Sequence, residues 1–129
     1  MVSKELKNIL LVEDEPDIQK IARVSLEQVG NFKVTVCSSG HEALEVTKSF
    51  LPDLFLLDVM MPGMDGPTTL KRLRENDALK EIPVIFITAK AQPSEVNEFL
   101  SMGAIDVITK PFNPMTLAET ITGCWNKHL

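Results

Sequence analysis

Short runs of aliphatic and β-branched residues alternate with stretches of helical period along this chain. The strand-like runs cover residues 8–13, 33–37, 54–58, 84–88 and 106–109. The first helical pattern is the clearest: Ile18, Ile21, Ala22, Ser25, Leu26 and Val29 step through i, i+3, i+4 and i+7. Pro16 suits its first turn and Gly30 its stop. A second helix is expected over residues 40–50, ahead of Pro52, and a third over residues 67–75 with Leu70 and Leu73 inward. A fourth carries Val96, Phe99 and Leu100 and ends near Met102 and Gly103. The last begins after Asn113 and Pro114, with Asn113 as its N-cap and Leu117, Ile121 and Trp125 as its buried stripe.

Five strands alternating with five helices predict right-handed βαβ crossovers and a parallel sheet covered on both faces. The first and third strands agree: Ile9, Leu10, Leu11 and Val12, and again Leu54, Phe55, Leu56 and Leu57, are apolar at every position. No linker, repeat or low-complexity tract interrupts the pattern, so residues 1–129 read as one α/β domain. An apolar share of 44% over 129 residues is enough to bury a proper core. No apolar run approaches the roughly 18–20 residues of a membrane span, and no apolar segment follows the charges in Met1-Val2-Ser3-Lys4-Glu5-Leu6-Lys7. A cytoplasmic protein without membrane contact is the expectation. Thirteen basic against eighteen acidic residues give a net charge of −5, which disfavours direct nucleic-acid binding. Cys37 and Cys124 are too few for a disulfide scaffold and read as small core residues; His41 and His128 flank no metal-ligand spacing.

The chemistry gathers where the strands end. Parallel strands share one carboxyl edge, and open α/β sheets bind ligands outside that edge, where the strand order reverses. The first strand ends in Glu13 and Asp14 with Glu15 following, the third in Asp58, the fourth in Thr88, and Lys110 follows the fifth at once. Asp14 ahead of Pro16 also suits a helix cap, Thr88 is an ordinary strand end, and a lone lysine is usually solvated. Asp58 differs, because it follows four apolar residues on a central strand, where a charge is costly unless paired or metal-bound. Gly63 and Gly66 in the turn after it suit sharp bends close to a ligand. Clustered carboxylates repel, so one takes up a proton or a cation sits among them. An all-oxygen set suits Mg²⁺, held by one or two carboxylates and a partner's phosphate. A carboxylate at the centre can attack a phosphoryl group, and Mg²⁺, the Lys110 ammonium, the Thr88 hydroxyl and a backbone N–H could neutralise its oxygens.

These motifs resemble the receiver domain of bacterial two-component response regulators, over essentially the whole chain. The matching residues are Leu10-Leu11-Val12-Glu13-Asp14-Glu15, the stretch from Leu56 through Asp58, Met60, Met61, Pro62, Gly63, Met64 and Asp65 to Gly66, then Ile85-Phe86-Ile87-Thr88-Ala89 and Thr109-Lys110-Pro111-Phe112. The resemblance implies a flavodoxin-like, doubly wound sheet of order 2-1-3-4-5 with five helices. It implies that Asp58 accepts a phosphoryl group from a sensor histidine kinase or phosphotransfer protein, and that the protein catalyses only its own phosphorylation and dephosphorylation. Asp14, Asp58 and the backbone carbonyl of Met60 would bind Mg²⁺ directly and Glu13 through water. Lys110 would pair with a phosphoryl oxygen across a cis Lys110–Pro111 bond, and Thr88 would move toward the phosphoryl group. The face of the fourth helix, fifth strand and fifth helix would then change for a downstream protein partner. Met60 and Lys90 would overhang the site or simply face solvent. One departure stands out: Val107 occupies a place where the family often has an aromatic residue, and the chain holds no tyrosine.

Competing chemistries lack their parts. A dehalogenase-type phosphatase needs an acid two residues after its nucleophile, and that position is Met60. A flavin-phosphate loop after the first strand would meet Glu13, Asp14 and Glu15, and no Gly-x-x-x-x-Gly-Lys-Ser/Thr loop is present. The last helix reaches almost to Leu129, so a stand-alone receiver is expected, with a receiver excised from a longer regulator as the alternative.

Overall fold

The computed structural model describes residues 5–128, so residues 1–4, on which part of the expectation about targeting falls, and residue 129 lie outside the described residues. Strands and helices alternate as β1 (Asn8–Val12), α1 (Pro16–Val24), β2 (Lys33–Cys37), α2 (Gly40–Val46), β3 (Leu54–Asp58), α3 (Gly66–Arg74), β4 (Val84–Thr88), α4 (Pro93–Ser101), β5 (Asp106–Thr109) and α5 (Leu117–His128). A π turn, Ser25–Val29, prolongs α1, and a 3₁₀ turn, Asp77–Leu79, precedes β4. Every neighbouring pair of strands is parallel, in the order β2-β1-β3-β4-β5. No helix among the described residues is long and apolar enough to cross a membrane.

Alternation along β1, β3 and β4 feeds two cores, one on each face of the sheet. Ile9, Leu11, Leu54, Leu56, Ile85 and Ile87 pack against Ala22 and Leu26 of the first helical segment and against Leu117, Ile121 and Trp125 of α5. Leu10, Val12, Phe55, Leu57 and Phe86 pack on the other face against Ala43, Leu70, Leu73 and Phe99. Full burial of such side chains stabilises by about 1.5–3 kcal/mol each, which explains strands apolar at every position until the ligand edge.

Three helix boundaries depart from expectation, each for a local reason. The first stripe is narrower than its periodicity suggests: Ala22, Ser25 and Leu26 are buried, while Ile21 and Val29 are exposed. Gly30 N–H reaches the carbonyl of Ser25 in an i→i+5 bond, and this wide turn rotates Val29 away from the sheet. The second helix ends at Val46 rather than near residue 50. Thr47 turns its hydroxyl back to the Ala43 carbonyl (2.8 Å), and the N–H groups of Lys48 and Ser49 bond three residues back, tightening the last turn. The last helix starts at Leu117. Asn113 does act as a cap, but of the preceding turn: its Oδ1 accepts from Met115 N–H at 2.9 Å. The expected stripe of Leu117, Ile121 and Trp125 is buried.

Candidate functional site

Register brings the strand ends together. Val12 pairs with Leu57, so the next residues, Glu13 and Asp58, emerge side by side from adjacent central strands. Thr88 closes β4 beside Thr109 of β5, and Lys110 N–H donates to the Thr88 carbonyl at 2.8 Å. The Lys110–Pro111 bond is cis. The chain leaves β1 for β2 on one side and β3 for β4 on the other, so this is the switch point of the sheet.

Glu13, Asp14 and Asp58 each present an oxygen, and these lie within 4.8 Å of one another. Glu13 is 0% exposed and Asp58 1%. Their counter-charge is the Lys110 ammonium, 2.7 Å from Glu13 Oε1, 3.2 Å from Asp58 Oδ1 and 3.8 Å from Glu15 Oε1. The second Glu13 oxygen accepts from the N–H of Glu15 at 3.0 Å. Thr88 is buried, and its hydroxyl accepts from Lys90 N–H at 3.1 Å. Glu15, not Asp14, is the N-cap residue of α1, and no side chain caps that helix, so Asp14 is free of the capping role.

Burial pushes the Asp58 carboxyl up to about 7, the negative charge of Glu13 adds to this, and Lys110 only partly offsets it. Burial disfavours the Lys110 ammonium, but the hydrogen bond and charge of Glu13, followed by those of Asp58, outweigh it and raise its pKa. Glu13 Oε1, Asp14 Oδ1 and Asp58 Oδ2 are buried without a hydrogen bond, Glu13 Oε1 having only its ion pair with Lys110, and this is costly for carboxylate oxygens. Three clustered carboxylates, each with one buried oxygen that lacks a hydrogen bond, fit a hard divalent cation that prefers oxygen ligands.

The loop after β3 is shaped for close approach. Gly66 N–H donates to the Val59 carbonyl at 2.9 Å. A Cβ on Gly66 would overlap the Asp58 carbonyl oxygen and stand 2.9 Å from Val59 Cα. Gly66→Ala is therefore expected to cost about 1–3 kcal/mol in urea unfolding, the usual range for overpacking, and to move the Asp58 backbone. Gly63, at φ +77° with open space around it, should cost about 1–2 kcal/mol as alanine through backbone strain alone, without disturbing Asp58. Met60, 69% exposed, and Lys90 have solvent-facing side chains. Cys37 and Cys124 are buried thiols pushed up to about 12, chiefly by burial, and are inert packing residues.

Glu13, Asp14, Asp58, Thr88 and Lys110 thus converge on one edge. The direct ion pair between Glu13 and Lys110 was not expected. Its signal lay in residue type: glutamate at position 13 has the length to cross the pocket.

A doubly wound sheet that gathers carboxylates, a hydroxyl and one ammonium at its switch point defines a class of small acidic-pocket α/β domains. The chain belongs to the response regulator receiver domain family, whose model matches residues 9–122. It is 38% identical over 112 residues to a probable C4-dicarboxylate response regulator, DctR, of Priestia megaterium, covering 86% of this chain and 48% of that protein. Identity is also 38% over 115 residues to the phosphate regulon transcriptional regulatory protein PhoB of Pseudomonas aeruginosa, covering 89% of this chain and 50% of that one. The chain therefore spans about half the length of these curated relatives. Among solved structures, the Vibrio cholerae chemotaxis response regulator CheY4 superposes with a TM-score of 0.85 at 29% identity, covering 93% of this chain and 99% of that one. The expected fold class and strand order hold, and the domain belongs to two-component signalling.

Proposed function

We propose that this domain is a phosphoacceptor switch in which Asp58 takes a phosphoryl group from a phosphohistidine on a sensor kinase or phosphotransfer protein. The observation that carries this reading is the nearly inaccessible Asp58 carboxylate with one oxygen on Lys110 and the other undersatisfied. An Asp58 oxygen attacks phosphorus as the phosphorus–nitrogen bond to imidazole breaks, the imidazole keeps that electron pair, and an acyl phosphate results. Asp14, Asp58 and the Met60 carbonyl would hold Mg²⁺, with Glu13 beside them. Bound there, the ion would neutralise carboxylate and phosphoryl charge.

Each remaining residue has a task that its position supports. Lys110 receives one phosphoryl oxygen, turning from its carboxylate partners to the new anion. Thr88 donates its hydroxyl proton toward the phosphoryl group while its oxygen keeps the bond from Lys90 N–H, which draws the loop after β4 inward. Val107 pairs with Phe86, whose ring lies 5.1 Å from Phe99 of α4. Movement of that loop is therefore passed to α4 through aromatic packing even though position 107 carries no ring. The α4–β5–α5 face is the surface we assign to a downstream protein partner. Incubation with acetyl phosphate and Mg²⁺ should add one phosphoryl group, mapped by mass spectrometry after borohydride reduction to Asp58; a label on another residue would overturn the assignment.

A further inference from the structure

Three carboxylates converge on the pocket against their own repulsion, and the Lys110 ammonium brings one positive charge to them. The turn that carries two of them, Glu13 and Asp14, leads into α1, whose first turn has no side-chain cap. Its hold comes from one turn further along the helix. Gln19 is anchored by its backbone N–H on the Glu15 carbonyl at 3.0 Å, and its half-buried side chain reaches back. The amide Nε2 donates to the Glu13 carbonyl and, at 3.1 Å, to Ser38 Oγ in the loop after β2. On the other side of the same residue, Glu13 N–H donates to the Cys37 carbonyl at 3.0 Å. Both backbone polar groups of Glu13 are therefore tied, one to β2 directly and the other through Gln19 to the loop that follows β2.

We propose that Gln19 is a positioning residue for metal binding: by pinning the Glu13 carbonyl it keeps the Glu13 and Asp14 carboxylates converged with Asp58, and so sets the affinity and the size selectivity of the pocket for a divalent cation. The proposal rests on the reading of these acids as a Mg²⁺ pocket. A turn fixed beforehand spares the cation the cost of ordering it. The benefit depends on the ion. Mg²⁺ demands near-octahedral oxygens at about 2.0–2.1 Å, whereas Ca²⁺ accepts a looser shell at about 2.3–2.6 Å. A turn released from Gln19 therefore loses Mg²⁺ before it loses Ca²⁺. Gln19 carries no charge, so a neutral replacement leaves the electrostatic attraction for either ion in place.

The test titrates the full chain with Mg²⁺ alone and with Ca²⁺ alone, following backbone amide signals. Gln19→Met keeps the length and neutrality of the side chain and removes its donors. Its Kd for Mg²⁺ should rise roughly three- to tenfold, the worth of one neutral hydrogen bond, while its Kd for Ca²⁺ changes by less than about twofold. Ser38→Ala removes the outer contact and keeps the donation to Glu13, so it should weaken Mg²⁺ by less than about twofold. Should Gln19→Met fail to fold, Gln19→Ala is expected to give the same two results. Equal losses of Mg²⁺ and Ca²⁺ in the Gln19 variant would make the residue a general support of the fold and overturn the proposal. A Ser38→Ala loss as large as that of Gln19→Met would move the hold to the loop after β2 and overturn it as well. Mg²⁺ bound equally by wild type and variant sinks the positioning role alone. A wild type that binds neither ion sinks the Mg²⁺ reading beneath it.

Discussion

Asp58→Asn is expected to take up no phosphoryl group from acetyl phosphate or from a phosphorylated kinase, while gaining stability at pH 8. The loss follows because an amide oxygen is a poor nucleophile and no other acid in the pocket stands in its place. Glu13 is tied to Lys110 and to the Glu15 N–H, and Asp14 lies half-buried on the loop after β1. The gain follows from linkage. The Asp58 carboxyl ionises near 7 in the fold against an ordinary value of 3.8. Between these values the native state binds more protons than the unfolded chain, so wild-type stability falls as pH rises from about 4 to 7 and stays low above it. Glu13, Asp14 and Glu15 face the group with negative charge and Lys110 with positive charge. Asparagine removes the buried charge, and at 1.36 kcal/mol per pH unit the expected gain at pH 8 without Mg²⁺ is roughly 2–4 kcal/mol. Urea titrations at pH 5 and pH 8 check this: the wild type should lose stability between them and the variant should not. Label that persists in Asp58→Asn would remove Asp58 from the central role.

The sheet was legible in the sequence because burial on both faces leaves no choice of residue. Leu54, Phe55, Leu56 and Leu57 can form only a covered central strand, and Asp58 directly after them stands out as a charge requiring a reason. Strand ends were equally readable, since a parallel sheet sends every carboxyl end to one edge. Helix ends were not. Thr47 and Asn113 act through one or two local hydrogen bonds that end or delay a helix by three or four residues, and these compete closely with continuation of the helix. Periodicity could not anticipate the π turn at Ser25 either. The hydroxyl of Ser25 is engaged by the Pro114 carbonyl, a contact across 89 positions of sequence. Within the site, residue types identified the members but not their pairings. Whether Lys110 favours Glu13 or Asp58 depends on tenths of an ångström set by how Glu15 N–H anchors the glutamate, and no spacing rule encodes that.

Lys110→Ala separates fold, metal and switching in one variant. Among the described residues, Lys110 is the cation within 4 Å of Glu13 and Asp58, and its side chain is only 12% exposed. Its removal leaves buried carboxylates uncompensated, for which a loss of about 3–5 kcal/mol is usual. Protonation of Asp58, already favoured by burial, limits that loss, so the variant should be about 3 kcal/mol less stable at pH 8 and recover much of this by pH 5. The oxygens of Glu13, Asp14 and Asp58 remain, and a competing positive charge is gone. Mg²⁺ should therefore bind no more weakly than in the wild type and should restore stability as its concentration rises, by ~2.7 kcal/mol at a hundredfold excess over Kd. Phosphorylation should no longer alter the α4–β5–α5 face, because nothing then ties the phosphoryl group to β5. Backbone amide shifts of Phe99 and Val107, followed with and without acetyl phosphate, provide the readout: displaced in the wild type, stationary in the variant. Loss of Mg²⁺ binding together with the lysine would instead mean that the ammonium organises the carboxylates, and the division between metal ligands and switch residue would fall.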